Sequence, residues 1–156
     1  MLLLSTEKLP KGPDWLYEIK LDGYRALAIK TGGRVQLRSR NDNDFSARYA
    51  AITTALRSLP DETVIDGEVV AVDEEGRPSF HLLQNFGTSR AHPAFFVFDI
   101  LILEGGDVMG ETLEQRVRLL EKHVLTRLTE PMRSTFATAS TTPPPASPPG
   151  SIFPWH

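Results

Sequence analysis

Apolar and polar positions alternate with two different periods along this chain, and the changes of period mark out its elements. Trp15 to Asp22 reads as a first strand: Trp15, Tyr17, Ile19 and Leu21 fall on one face, and Leu16, Glu18, Lys20 and Asp22 on the other. A leading arm over residues 1–13, with Pro10, Gly12 and Pro13, precedes it. Tyr24 to Lys30 predicts a second strand, Thr31-Gly32-Gly33-Arg34 a hairpin turn, and Val35 to Arg38 a third strand. Ser39 to Asp44 is polar and aperiodic, hence a loop. Ser46 is placed to cap a helix whose apolar positions are Tyr49, Ile52, Ala55, Leu56 and Leu59, ended by Pro60-Asp61-Glu62.

The second half continues with strands and helices, without an internal repeat. Thr63 to Asp73 predicts a strand of Val64, Ile65, Val69, Val70 and Val72, interrupted by Asp66-Gly67-Glu68. Glu74 to Pro78 turns the chain, and Ser79 to Phe86 fits a short helix with Leu82 and Leu83 inward. Ala94 to Leu103 is the most apolar run and predicts a buried strand. After the turn Glu104-Gly105-Gly106-Asp107, Thr112 to Leu128 predicts a helix with Leu113, Val117, Leu120, Val124 and Leu128 as its buried stripe. From Ser134 to His156 there is no Asp, Glu, Lys or Arg, and Pro, Ser, Thr and Ala dominate. That composition cannot bury enough apolar surface to offset its ordering entropy and predicts a disordered tail. The domain division is therefore 1–133 for the folded body and 134–156 for the tail.

Composition narrows the function. The chain has 156 residues, 40% hydrophobic and 24% charged, enough for one soluble domain with a core. A net charge of −3 gives no global basic field, so any contact with DNA has to come from a local patch. Cysteine is absent, which excludes disulfides, thiolate metal sites and a cysteine nucleophile; a reducing cytoplasm fits. No stretch is long and apolar enough for a signal sequence or a membrane span. His81, His92, His123 and His156 show no ligand spacing.

Five pieces carry the candidate chemistry: Lys20-Leu21-Asp22-Gly23-Tyr24-Arg25, Ser39-Arg40-Asn41, Asp66-Gly67-Glu68, Gly76-Arg77-Pro78-Ser79-Phe80, and Phe98-Asp99-Ile100-Leu101. Each alone has a plainer explanation. Glu18 to Asp22 reads as an exposed charge ladder, Glu68 as a strand-edge charge, and Arg40 as a loop residue paired with Asp42 or Asp44. Phe98 reads as core beside Phe95 and Phe96. In this order and at these separations, though, they resemble the nucleotidyltransferase (adenylation) domain of ATP-dependent DNA ligases. The ligase domain of the bacterial end-joining ligase D is the most similar in flavour, and the resemblance spans about Leu9 to Leu128.

The resemblance implies an α+β, ATP-grasp-like adenylation fold of mostly antiparallel sheets flanked by helices. It implies ATP and Mg²⁺ as cofactors, and nicked or broken double-stranded DNA as partner, with no membrane. Lys20 would take the place of the nucleophile that attacks the α-phosphate and becomes a lysyl-adenylate. An amine with an ordinary pKa of about 10.4 must lose its proton to do so, which desolvation and nearby cations such as Arg25 promote. By the same resemblance Glu18 lies beside the adenine and Arg25 reaches the ribose. Arg40 engages the phosphates and later the 5′-phosphate of a nick, Glu68 contacts the ribose or a metal-bound water, and Phe98 stacks on adenine. Asp22, Gly23, Ser39, Asn41, Asp66 and Gly67 complete the motifs.

Past the helix the family's pattern calls for a Glu-Gly strand segment with a metal-binding carboxylate, a Lys-x-Lys segment and an OB-fold domain, and none is found here. The expectation is thus an incomplete adenylation domain, a truncated ligase product for which a frameshift is one origin, with a separate OB-fold-bearing chain or end-joining proteins as candidate partners. Rival readings are a non-catalytic remnant that binds nucleotide weakly or serves as an interaction module, and an RNA ligase or capping guanylyltransferase. The segment Gly76 to Phe80 with Leu82-Leu83-Gln84 favours a DNA ligase over the latter two.

Overall fold

Gly32 and Gly33 join the first two strands by a loop that only residues tolerant of positive φ make easily. In a computed structural model that describes residues 21–74, 78–87 and 92–128, their φ angles are 55° and 72°. They link β1 (Tyr24–Thr31) to β2 (Arg34–Ser39) in an antiparallel hairpin. Two carboxylates hold the loop: Gly33 N donates to Asp61 Oδ1 at 3.0 Å, and Thr31 Oγ1 donates to Glu62 Oε1 at 2.8 Å.

β3 (Thr63–Val72), β4 (His92–Leu103) and the short β5 (Gly106–Asp107) complete a sheet of order β2-β1-β3-β4-β5, antiparallel at every step. The expected break at Asp66-Gly67-Glu68 does not occur, and β3 runs straight through. Gly67 sits between Ala26 and Val97, and a Cβ there would run into the Phe96 carbonyl and the Phe95 ring. Its missing side chain lets three strands close up, so it serves the middle of the sheet.

Three helices cover one face: α1 (Ala50–Ala55), α2 (Phe80–Gln84) and α3 (Leu113–His123). Alternation decides which sheet residues meet them. Ala26, Ala28, Leu37, Ile65, Val69, Phe95, Val97 and Ile100 form one buried cluster with Ile52, Leu56, Leu83, Leu120 and Val124. The apolar run of β4 is therefore buried on one face only. Phe96 and Phe98, on alternate positions, are half-buried.

Three expectations for the helices need correction. Ser46 caps nothing: its Oγ accepts from Leu37 N at 2.9 Å, pinning the chain after the loop to β2, and α1 starts only at Ala50 with no side-chain cap. The last helix ends at His123, followed by a 3-10 turn over Leu125–Arg127. Leu113 is 41% exposed, because it opens the helix before the helix reaches the sheet. The start of α3 is set by a capping box, in which Thr112 and Gln115 satisfy each other's backbone amides. The leading arm, most of the predicted first strand including Glu18 and Lys20, the Gly76-Arg77 segment and the tail lie outside the described residues. Among the described residues no helix is long and apolar enough to cross a membrane.

Candidate functional site

The face of the sheet opposite the helices is where three of the motifs meet, while Phe80 of the fourth lies in α2 and packs against Tyr24. In β1 the residues that alternate with buried Ala26 and Ala28 are Arg25, Leu27 and Ile29. Their cross-strand partners in β3 are Glu68, Asp66 and Val64. Residues directly opposite one another share a face, so Arg25, Asp66 and Glu68 come together although 41 residues separate Arg25 from Asp66.

Arg25 Nη2 donates to Asp66 Oδ2 at 2.6 Å, and Nε lies 3.2 and 3.3 Å from the two carboxylate oxygens. The Asp66 side chain is 8% exposed against 52% for Arg25, so the carboxylate is the buried member. This hydrogen bond is the main reason Arg25 holds its proton more tightly than an ordinary guanidinium. Burial opposes it, and attraction to Asp66, Glu68 and Asp99 reinforces it. The Arg25 guanidinium carbon also stands 5.4 Å from the centroid of the Phe98 ring, a cation–π distance.

A bulge makes that contact. The register of β4 against β3 passes from Val97 opposite Gly67 to Asp99 opposite Asp66, so Phe98 has no cross-strand partner in β3. The next residue is fixed from the helix side. Arg116 of α3 donates from Nε and Nη2 to the two Asp99 oxygens at 2.7 and 2.9 Å, and Ile100 N donates to Asp99 Oδ1 at 2.8 Å. Both side chains of the pair are under a fifth exposed, and Asp99 holds Arg116 above its ordinary pKa. Sequence reading passed over this pair. Its signal was available: one carboxylate in the most apolar strand, and an arginine in the helix that packs on it.

Gly23 lies just before β1. A Cβ at that position would meet the Val69 carbonyl oxygen, Val70 Cγ1 and Glu68 Cγ. Its bareness lets the motif segment lie against β3. Asp22 adjoins it and is exposed.

Ser39, Arg40 and Asn41 form the turn after β2. Asn43 N donates to Ser39 Oγ at 3.0 Å, Asp42 N donates to Ser39 O at 2.9 Å, and Asp42 takes a positive φ of 59°. Neither suggested partner turns toward Arg40 as the plainer reading had it. Asp42 Oδ1 meets Arg38 at 3.7 Å, and Asp44 is turned to Ser46, whose hydroxyl first and backbone N second (2.8 Å) lower its pKa. Arg40 is exposed, one position beyond Ser39, which pairs with Ala26.

Glu68 is the carboxylate from which a metal role was expected. Among the described residues no group of three or more His, Asp or Glu side chains is placed to hold a metal ion. Asp66 and Asp99 are committed to guanidinium groups, so that role does not pass to either. A single carboxylate still fits Mg²⁺, which keeps several waters and takes one or two carboxylates together with substrate phosphates.

Comparison with known proteins agrees with this arrangement. Residues 5–144 match the family described as ATP dependent DNA ligase domain. The multifunctional non-homologous end joining protein LigD of Pseudomonas aeruginosa is 40% identical over 130 residues, 81% of this chain and 15% of that protein. The corresponding Mycobacterium tuberculosis DNA repair protein is 39% identical over 112 residues, 71% of this chain and 15% of its own length. Among solved structures, a mycobacterial DNA ligase D complexed with ATP and MES superimposes with a TM-score of 0.60 at 37% identity, covering 69% of this chain and 36% of that one. The M. tuberculosis LigD ligase domain superimposes with the same TM-score at 38% identity. The chain thus spans 15% of the length of these LigD relatives.

Proposed function

Because the chain belongs to the family of ATP-dependent DNA ligase domains, we propose that it takes up ATP on the sheet face of Arg25, Asp66, Glu68 and Phe98 and becomes adenylated at Lys20. The Lys20 amine, deprotonated, attacks the α-phosphorus; the bond to the bridging oxygen of the β-phosphate breaks, pyrophosphate leaves, and AMP stays on nitrogen. AMP then passes to the 5′-phosphate at a break in DNA, and the 3′-hydroxyl displaces it to close the strand. Phosphoryl transfer rests mainly on positioning and on charge stabilisation, so the surrounding residues matter as much as the nucleophile.

The observation that carries this reading is the convergence of three separate motifs on one face, with the bulge in β4 bringing Phe98 beside Arg25. Phe98 offers its ring to the adenine, a kind of stacking worth about 1–3 kcal/mol. Arg25, steadied by Asp66, serves the ribose, and Glu18 the base. Glu68 serves the ribose or holds Mg²⁺, which when bound neutralises phosphate charge, and Arg40 meets the phosphates. Asp22, Gly23, Ser39, Asn41 and Gly67 shape the segments that carry them.

Incubation with α-labelled ATP and Mg²⁺ tests it. Label is expected to remain on the protein after denaturation and to vanish in Lys20→Ala. Absence of label from the unaltered protein would show that this chain does not carry out the first step.

A further inference from the structure

β2 stands at one edge of the described sheet. Its inward positions are Val35 and Leu37, the latter fully buried. Its other face reads Arg34, Gln36, Arg38, and the next alternate position, Arg40, opens the turn that follows. The register puts these on the same face as the candidate site: Arg34 is opposite Thr31, Gln36 opposite Ile29 and Arg38 opposite Leu27, and Leu27 is itself opposite Asp66. The adenylation reading gives Arg34 and Arg38 no task.

We propose that Arg34 and Arg38 form a phosphate-tracking edge that holds the backbone of duplex DNA and leads it to Arg40. The inference takes its partner from the DNA ligase reading and adds a surface to it. The chain as a whole carries −3, so two arginines on one face of β2, with Arg40 in the turn beyond it, are a local reversal of sign. Arg34 and Arg38 stand four residues apart, about 13 Å along the strand, close to the axial rise of about four phosphates along one DNA strand at about 3.4 Å each. From Arg34 to the end of β2 the strand covers about 17 Å, the rise of about five phosphates. Among the described residues Arg38 Nη1 donates to the Asp42 carbonyl oxygen at 3.3 Å, a contact that leaves its other donors for a phosphate. Arg38 meets Asp42 Oδ1 at 3.7 Å, but the Asp42 side chain is 87% exposed, and so open a pair yields readily to a phosphate. Arg34 is exposed at the start of the strand, beside the hairpin loop. At the centre of the same face the Asp66 carboxylate is taken up by Arg25, whereas on β2 the arginines stand toward the edge of the sheet.

Charged side chains on an edge strand also discourage pairing with a second sheet. The two roles are separable by experiment. Binding of the full chain to a fluorescent, nicked 5′-phosphorylated duplex is measured by anisotropy from about 50 mM salt upward. The double variant Arg34→Ala with Arg38→Ala is expected to bind about ten-fold or more weakly at the low-salt end, and the slope of log affinity against log salt to fall by about 2. The double variant Arg34→Lys with Arg38→Lys keeps the slope, because a point charge suffices for a phosphate. Should the double alanine variant fold poorly, Arg34→Ala alone, at the exposed end, lowers the slope by about 1. An unchanged slope overturns the proposal, as does self-association of the alanine variant with DNA binding intact. Failure of the unaltered chain to bind duplex at about 50 mM salt also overturns it. ATP labelling of the unaltered chain, run in parallel, separates the two ideas: label with an unchanged slope removes the edge alone, and a reduced slope without label removes adenylation alone.

Discussion

Arg25 Nη2 stands 2.6 Å from Asp66 Oδ2, tying β1 to β3 on the face that also holds Phe98. Arg25→Ala leaves a carboxylate that is 8% exposed without its charge partner. Because Arg25 itself is half-exposed, the expected loss is about 1–2 kcal/mol rather than the larger cost of a fully buried pair. Asp66→Asn is expected to cost a similar amount, and the double variant less than the sum, since both remove one contact. Chemical denaturation of the three variants checks this, and strict additivity would count against the pair.

Gly23 and Gly67 are predicted to resist substitution for one shared reason. A methyl group at either meets a carbonyl oxygen of the neighbouring strand, and backbone cannot rotate away as a side chain can. Gly23→Ala and Gly67→Ala are each expected to cost about 2 kcal/mol or more. Gly110→Ala is the control, because nothing lies within 4 Å of a Cβ there, and a change within about 0.5 kcal/mol is expected. Thermal melts decide it; equal effects at all three positions would refute the close-approach argument.

Tyr49 is fully buried among Phe45 and Phe86, and its hydroxyl finds no hydrogen-bond partner among the described residues. Removing an unsatisfied polar atom relieves a desolvation cost, so Tyr49→Phe is expected to stabilise the fold by about 1 kcal/mol. Burial also raises the Tyr49 pKa above its ordinary value near 10. A raised folded-state pKa means that the protonated ring favours the fold. Its contribution is complete below about pH 10 and declines as pH climbs from there through the folded-state pKa. Denaturation at neutral and alkaline pH tests both points: Tyr49→Phe should lie above the unaltered protein, and by more at the alkaline end.

The Arg116–Asp99 pair is predicted to matter for nucleotide as well as for stability, since it holds the residue next to the β4 bulge. Arg116→Ala is expected to raise the ATP concentration needed for half-maximal self-labelling about ten-fold, against a smaller change in the rate at saturation. Arg116→Lys should recover only part of this, because an ammonium cannot span both oxygens. A change confined to the saturated rate would remove the positioning role.

Local pattern was enough for the elements whose cause is local. Gly32-Gly33 between two alternating runs could only be a hairpin turn, and the valines of β3 and the aromatic run of β4 announce strands wherever they are placed. The motifs, taken in order, were enough to name the family. Where one side chain had two possible partners, the sequence offered no means of choosing. Ser46 suits a helix cap and a strand amide equally well, and the fold uses the second. Phe98 suits the core and the opposite face, and its position next to buried Val97 sets it on the opposite one, where the slip in β4 leaves it without a partner in β3. Gly23 completes a motif in the sequence, and the fold shows that its bareness makes room for β3.

What the sequence determined by itself is thus the set of strands and helices, the faces their alternation defines, and the membership of a family. The tertiary structure alone decided that Arg25 would spend donors on Asp66, that Arg116 would hold Asp99, and that Phe98 would stand unpaired in the bulge. The reason is physical. Periodicity is a property of neighbours in the chain, while a hydrogen bond or an ion pair depends on register between strands, and register becomes definite only when the whole sheet has closed on its core.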